Sequence, residues 1–306
     1  MKNPDLSVKI GKLKLKNPVM VASGTFGYAE EFSGLVGLHK LGAVVSKTIT
    51  LKGRPGNTLP RTCETPAGML NSIGLENPGI NKFIKEKLPV LRRAKAPIIV
   101  SIASENDPQE FVVLANELEK IRDVAAIELN ISCPNVKTQK SLISQDPEAT
   151  FQVVKAVRKV STKTLITKLS PNVTDITQIA LAAQNAGSDA VSLINTLLGM
   201  SIDVKARKPK IASITAGLSG PAIRPIAVRM VWEAFQKIKI PIIGMGGIID
   251  ASSALEFFLA GASAVAVGTA NFIDPKISNT IIEGIRSYLK ENRVSHLEDI
   301  VGALKA

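Results

Sequence analysis

Residues 240–270 read IPIIGMGGIIDASSALEFFLAGASAVAVGTA, and they hold one pattern twice. An apolar run, 240–247, ends in Gly246 and Gly247. An amphipathic stretch, 251–259, follows and stops before Gly261, where a helix needs a residue free to turn. A second apolar run, 264–270, then ends around Gly268 and Thr269. Runs that are apolar on both faces read as strands buried on both sides, the habit of parallel sheets covered by helices.

The pattern extends back to the start of the chain. Further apolar runs occupy 19–23, 43–48, 97–103, 126–132, 164–170 and 190–196. Helical patterns at 108–121, 147–160 and 174–186 separate several of them. Asp107 before Pro108 and Asp146 before Pro147 are good helix starts, an acceptor followed by a proline that needs no N–H partner. Gly187 marks another helix end. Eight such units predict an α/β chain closed into a (β/α)8 TIM barrel, with a doubly wound open sheet as the structural alternative. Ahead of the first run, 6–10 and 13–16 alternate around Gly11 and predict an N-terminal β-hairpin across the barrel bottom. Two long loops, 51–77 and 197–221, follow the second and sixth strands and should hang over the C-terminal face. No linker or repeat divides the chain, so 1–306 reads as a single domain.

Composition narrows the function. Aromatic residues make up 4%, which leaves little to stack on nucleic-acid bases. The charge of +12 comes from lysines spread along the chain, and the one cluster is Lys205, Arg207, Lys208 and Lys210. An anionic small ligand fits this better than nucleic acid. No apolar run reaches the length of a membrane span, and the start carries no secretory pattern. A cytoplasmic protein with Cys63 and Cys133 reduced is expected.

The residues closing each run are ones that core packing would not choose: Ser23, Lys47, Asn130, Lys168, Asn195, and the glycines Gly246, Gly247 and Gly268. A buried lysine is costly unless it meets an anion or a partner. These side chains should converge on one pocket at the barrel mouth. The glycines of the last two units expose backbone N–H groups where barrels often hold phosphate. Cys133 follows the fourth strand and stands over the mouth, with a polar lid at 134–145. Cys63 reads as structural, and His39 and His296 as surface residues. No spacing suggests a metal site or a nucleophile elbow, which disfavours hydrolase chemistry.

Several stretches in order resemble the dihydroorotate dehydrogenase family over nearly the whole chain: Ser23-Gly24-Thr25-Phe26-Gly27, Ser46-Lys47-Thr48, Asn71-Ser72-Ile73-Gly74-Leu75, Asn130-Ile131-Ser132-Cys133-Pro134-Asn135, Ile194-Asn195-Thr196, Gly217-Leu218-Ser219-Gly220-Pro221, Gly246-Gly247 and Gly268-Thr269. The resemblance implies oxidation of (S)-dihydroorotate to orotate in pyrimidine biosynthesis, with one FMN per chain. It places Ser23, Lys47, Thr48, Asn130, Lys168 and Ile194 against FMN, and Gly220, Gly246, Gly247, Gly268 and Thr269 on its ribityl phosphate side. It gives the substrate to Lys47, Asn71, Ser72, Ile73, Gly74, Leu75, Asn130, Asn195 and Thr196.

It makes Cys133 the catalytic base, which resembles class 1 of the family, and the stretches Ser23-Gly24-Thr25-Phe26-Gly27 and Asn195-Thr196-Leu197-Leu198-Gly199-Met200 look like subclass 1B. That form pairs with a subunit carrying FAD and a 2Fe-2S cluster and passes electrons to NAD⁺. A homodimer within a heterotetramer is therefore expected. The alternatives are the fumarate-using subclass 1A and a related pyrimidine-reducing FMN barrel. One departure is visible: many relatives carry an asparagine near the end of the third strand, where this chain has Ser101, whose hydroxyl is expected to replace part of an FMN contact.

Overall fold

The computed structural model describes residues 3–32, 34–105, 107–132 and 142–305. In chain order the strands are β1 (Val8–Ile10), β2 (Leu13–Leu15), β3 (Val19–Val21), β4 (Ala43–Val45), β5 (Thr62–Thr65), β6 (Gly68–Asn71), β7 (Ile98–Ile102), β8 (Val124–Asn130), β9 (Thr164–Lys168), β10 (Ala190–Leu193), β11 (Leu197–Met200), β12 (Ile202–Asp203), β13 (Lys208–Pro209), β14 (Thr215–Ser219), β15 (Ile242–Gly244) and β16 (Ala264–Val267). Eight of them close a parallel barrel in the order β3-β4-β7-β8-β9-β10-β15-β16, with β16 returning to β3. These are the eight runs expected from sequence, and the open-sheet alternative falls.

The helices are α1 (Ile80–Lys82), α2 (Leu88–Arg93), α3 (Gln109–Glu119), α4 (Pro147–Arg158), α5 (Ile176–Asn185), α6 (Arg224–Phe235), α7 (Ala251–Leu259) and α8 (Ile277–Glu291). A π-helical turn, Phe83–Lys87, joins the first two. The first barrel unit has only a 3₁₀ turn, Leu38–Lys40, where His39 is exposed. Asp146 caps α4 by accepting from the N–H groups of Glu148 and Ala149. Asp107 instead stands one residue further out, and its carboxylate accepts from Gln109 N as α3 begins. Gly187 and Gly261 turn away from α5 and α7 at φ of 100° and 115°, a conformation glycine takes without penalty.

Alternation inside the barrel separates two cores. Side chains facing out toward the helices join one large cluster. Those facing in form a second, including Met20, Val45, Ile99, Ala126, Ile166, Ala190, Ile243 and Ala264. The hairpin β1–β2 adds Ile10 and Leu15 to this inner cluster and so plugs the bottom. The two long loops do more than hang over the top. They contribute β5, β6, β11 and β14, which pair in the order β11-β14-β6-β5 as an antiparallel sheet over the mouth. The basic cluster lies on the exposed β12–β13 hairpin and its turn.

Candidate active site

Many of the inward-facing strand ends are polar because the barrel is filled from below and open above, although Ala22, Met245 and Ala266 also face in there. One cavity of ≈ 560 Å³ occupies the space between the strand ends and the roof sheet. That volume suits a small-molecule or cofactor site, which usually spans about 300–1,000 Å³. Ser23, Lys47, Asn130, Lys168 and Asn195 all line it, as do Gly246, Gly247 and Gly268. Thr48, Ile194, Gly220 and Thr269 join them, and the roof brings Asn71, Ser72, Ile73, Gly74, Leu75 and Thr196. Residues from strands more than two hundred positions apart in sequence therefore meet in one place.

Cys133 and 134–141 of the expected lid lie outside the described residues. The remainder of that segment is anchored rather than loose: Ile143–Gln145 forms a 3₁₀ turn with Ile143 and Ser144 buried. The cavity wall at the end of β8 is held by a chain of polar side chains. Asn195 Nδ2 donates to Ser132 Oγ at 2.6 Å, and Ser132 Oγ donates to Asn130 Oδ1 at 2.9 Å. Asn130 Nδ2 then donates to Thr48 Oγ1 at 3.2 Å. Such a chain fixes which amide atoms face the ligand.

Ser101 corrects one expectation. Its side chain is fully buried at 2.9 Å from Thr48 Oγ1, one layer beneath the cavity, and it does not line the wall. It supports Thr48 from below, because the alternation of β7 brings Ser101 inward at the level under the strand ends.

Two ammonium groups face the cavity. Lys168 is buried, 5% exposed, and Lys47 is half-buried. Burial pushes the Lys47 pKa down from the ordinary lysine range; Glu76 and Glu31 push it up, and Arg61 pushes it further down. Arg61 is itself paired with Glu76. A cation held at such a cost is poised for an anion.

The glycines make a cradle. Gly246 and Gly247 have φ of 129° and 74°. A Cβ on Gly247 would come within 2.7 Å of Arg224 Cβ and 2.9 Å of Gly220 O. At Gly268 a Cβ would meet no protein atom nearer than 3.8 Å, an ordinary contact with Ala22 Cβ, so it would clash with nothing in the protein. Among the described residues, the N–H groups of Gly246, Gly247 and Gly268 find no protein acceptor. Unused N–H groups in the same cavity as a buried lysine suit a phosphorylated ligand, and FMN is of that kind.

Three residues went unread in the sequence. Asn172 lines the cavity and ties two loops together: its Nδ2 donates to Thr196 O at 3.2 Å and its Oδ1 accepts from Leu198 N at 2.9 Å. Asn57 braces the loop after β6 by donating to Ser72 Oγ at 2.9 Å. Their contacts run to distant loops, and no local pattern announces them. Glu128 had a visible signal, a carboxylate within an apolar run. Cys63 packs beside the small roof core of Leu70, Ile211 and Ala216, as a structural residue should. Among the described residues no group of His, Cys, Asp and Glu is placed to hold a metal, and no helix is long and apolar enough to cross a membrane.

Barrel and cavity together define an α/β barrel protein with a small-molecule site at the C-terminal ends of its strands. The profile of the family described as dihydroorotate dehydrogenase matches residues 5–289, and the chain belongs to that family. Its relatives include the protein of Geotalea daltonii named dihydroorotate dehydrogenase B (NAD(+)), catalytic subunit, 54% identical over 100% of both chains. Proteins of the same name from Geotalea uraniireducens and Geobacter sulfurreducens are each 52% identical, over 99% and 100% of both chains respectively.

Proposed function

We propose that this chain is the FMN-binding catalytic subunit of a dihydroorotate dehydrogenase that oxidises (S)-dihydroorotate to orotate and passes the electrons to NAD⁺. The observation that carries the reading is the meeting of Lys47, Asn130, Lys168 and Asn195 with the glycine cradle in one cavity. The full-length likeness to relatives named for that activity supports it.

On this reading Gly246, Gly247, Gly268 and Thr269 hold the phosphate through backbone N–H groups, with Gly220 closing the same side. Ser23, Thr48 and Ile194 line the ring, and Lys168 lends it positive charge. Lys47 binds the substrate carboxylate and regains the stabilisation that burial costs its ammonium. Asn71, Asn130 and Asn195 offer donors and acceptors to the pyrimidine, while Ser72, Ile73, Gly74, Leu75 and Thr196 close around it. Cys133 removes the proton at C5, which is acidified by the neighbouring carbonyl. When bound, FMN supplies the acceptor for the hydride that leaves C6. Base and acceptor thus take a proton and a hydride, and the C5–C6 double bond forms.

The exposed side chains Ile249, Phe272 and Ile273 follow the two phosphate-side strands and form an apolar rim there. This rim is the edge we assign to an electron-transfer subunit carrying FAD and a 2Fe-2S cluster. Leu198, Met200, Ile202 and Val204 are also exposed, and we assign them to a second copy of the chain in a heterotetramer. The whole chain acts as one domain in the cytoplasm.

The test is the visible spectrum of the purified chain before and after anaerobic addition of dihydroorotate. Flavin bands that bleach are expected; a chain that stays colourless with added FMN ends the reading, and bleaching by dihydrouracil alone redirects it to pyrimidine reduction. With Cys133→Ala, FMN should stay bound while rapid-mixing measurements show flavin reduction slowed by about 10²–10⁴-fold.

A further inference from the structure

The barrel interior beneath the cavity floor is not dry hydrocarbon. Glu128 is 3% exposed and points inward, in step with Ala126 two residues before it. Its Oε2 accepts from Ser192 Oγ at 3.1 Å, and its Oε1 is buried with no partner among the described residues. The register locates this carboxylate. Strand β9 lies between β8 and β10, with Glu128 level with Ile166, and Lys168 level with Ser192. Neighbouring strands stand about 4.8 Å apart, so a contact from β8 to β10 must cross the inner face of β9. The Glu128 carboxylate therefore passes between Ile166 and Lys168, under the stem of the lysine that lines the cavity. No carboxylate lies within 4 Å of Lys168 Nζ among the described residues. The register thus sets the carboxylate one layer below the lysine on the same inner face without direct pairing, the lysine lining the cavity and the carboxylate beneath it.

A half-satisfied buried carboxylate is expensive, and nothing in the packing of β8 calls for one, since Ala126 serves on the same face. We propose that Glu128 is the counter-charge of Lys168: it offsets the ammonium beneath the floor and so sets how much positive potential the bound flavin meets. This rests on the flavin reading above. The partly screened field of one charge in such an interior is enough to change the relative binding of two redox forms on the order of tenfold.

Binding of oxidised and reduced FMN to the flavin-free chain, measured anaerobically, tests it. Glu128→Gln keeps the shape and removes the charge. It should raise the preference for reduced FMN about tenfold, equivalent to about 30 mV upward for a two-electron couple. Lys168→Met should lower the preference by a similar factor. The double variant Glu128→Gln/Lys168→Met, with both charges gone, should return to within about threefold of the parent. An unchanged or lowered preference in Glu128→Gln overturns the proposal, as does a double variant that matches Lys168→Met alone. Should Glu128→Gln fail to fold, the double variant carries the same test, and its failure to fold as well would make Glu128 a packing residue only. A parent chain that binds neither form of FMN removes the flavin reading itself, an outcome none of the variant results can mimic.

Discussion

Glu119, at the end of α3, shows how far a surface carboxylate can be tuned without touching the site. Burial pushes its pKa up, but hydrogen bonds from Ser161 and Thr162 outweigh that and hold it at about 2. Ser161 Oγ donates at 2.6 Å and Thr162 Oγ1 at 2.7 Å. The folded value lies below the ordinary 4.5, so the folded state binds the proton less readily than the unfolded one. The stabilisation is complete above 4.5 and is lost as pH falls toward 2. Urea midpoints of Glu119→Gln should therefore lie below those of the parent at pH 7, with the gap closing as pH drops from 4.5 to 2. At this scale the sequence was most legible where a residue type was out of place. Lys47 and Lys168 stood out because an ammonium at the end of an apolar run needs a reason. Ser101 misled because alternation gives a residue's face and not its depth along the barrel axis.

Among the elements, the barrel strands and most helices were legible because their burial is periodic. Their ends were less so: α3 starts at Gln109 rather than at a proline, and the Asp175 and Asp250 caps of α5 and α7 pass unnoticed without a following Pro. The roof sheet was not legible at all. Its strands are four or five residues long, and β6 pairs with β14 across some 146 residues, as the bond from Asn71 to Gly217 shows. Strands that short carry too little alternation to be told from loop, and their pairing is decided by the barrel that presents them.

The glycine turns after β15 and β16 give a prediction at the same scale. Gly247→Ala must place a methyl against Arg224 and Gly220 O at φ 74°, and should cost on the order of 1–3 kcal/mol of stability as well as ligand affinity. Gly268→Ala adds its methyl where no protein atom is nearer than 3.8 Å. It should weaken FMN binding more than it shifts the melting temperature of the flavin-free chain. Calorimetric melts and FMN titrations of the two variants side by side check this.

Across the whole molecule, stability and function occupy opposite ends. Leu15 is fully buried in the plug and far from the cavity. Leu15→Ala should destabilise the chain by about 2–5 kcal/mol in urea unfolding and leave FMN affinity unchanged, since it empties space only at the bottom.

Closure of the ring has a consequence for how the protein comes into being. β16 must find β3, pairing Val265 with Val19, and until that happens every earlier strand belongs to an open ribbon. Contacts so distant along the chain form late. The glycine turns at Gly246, Gly247 and Gly268 leave the ribosome after nearly all of the other cavity-lining residues. A nascent chain can thus carry most of the cavity wall and still lack its glycine side. The cavity itself becomes whole only at the closing event of biogenesis.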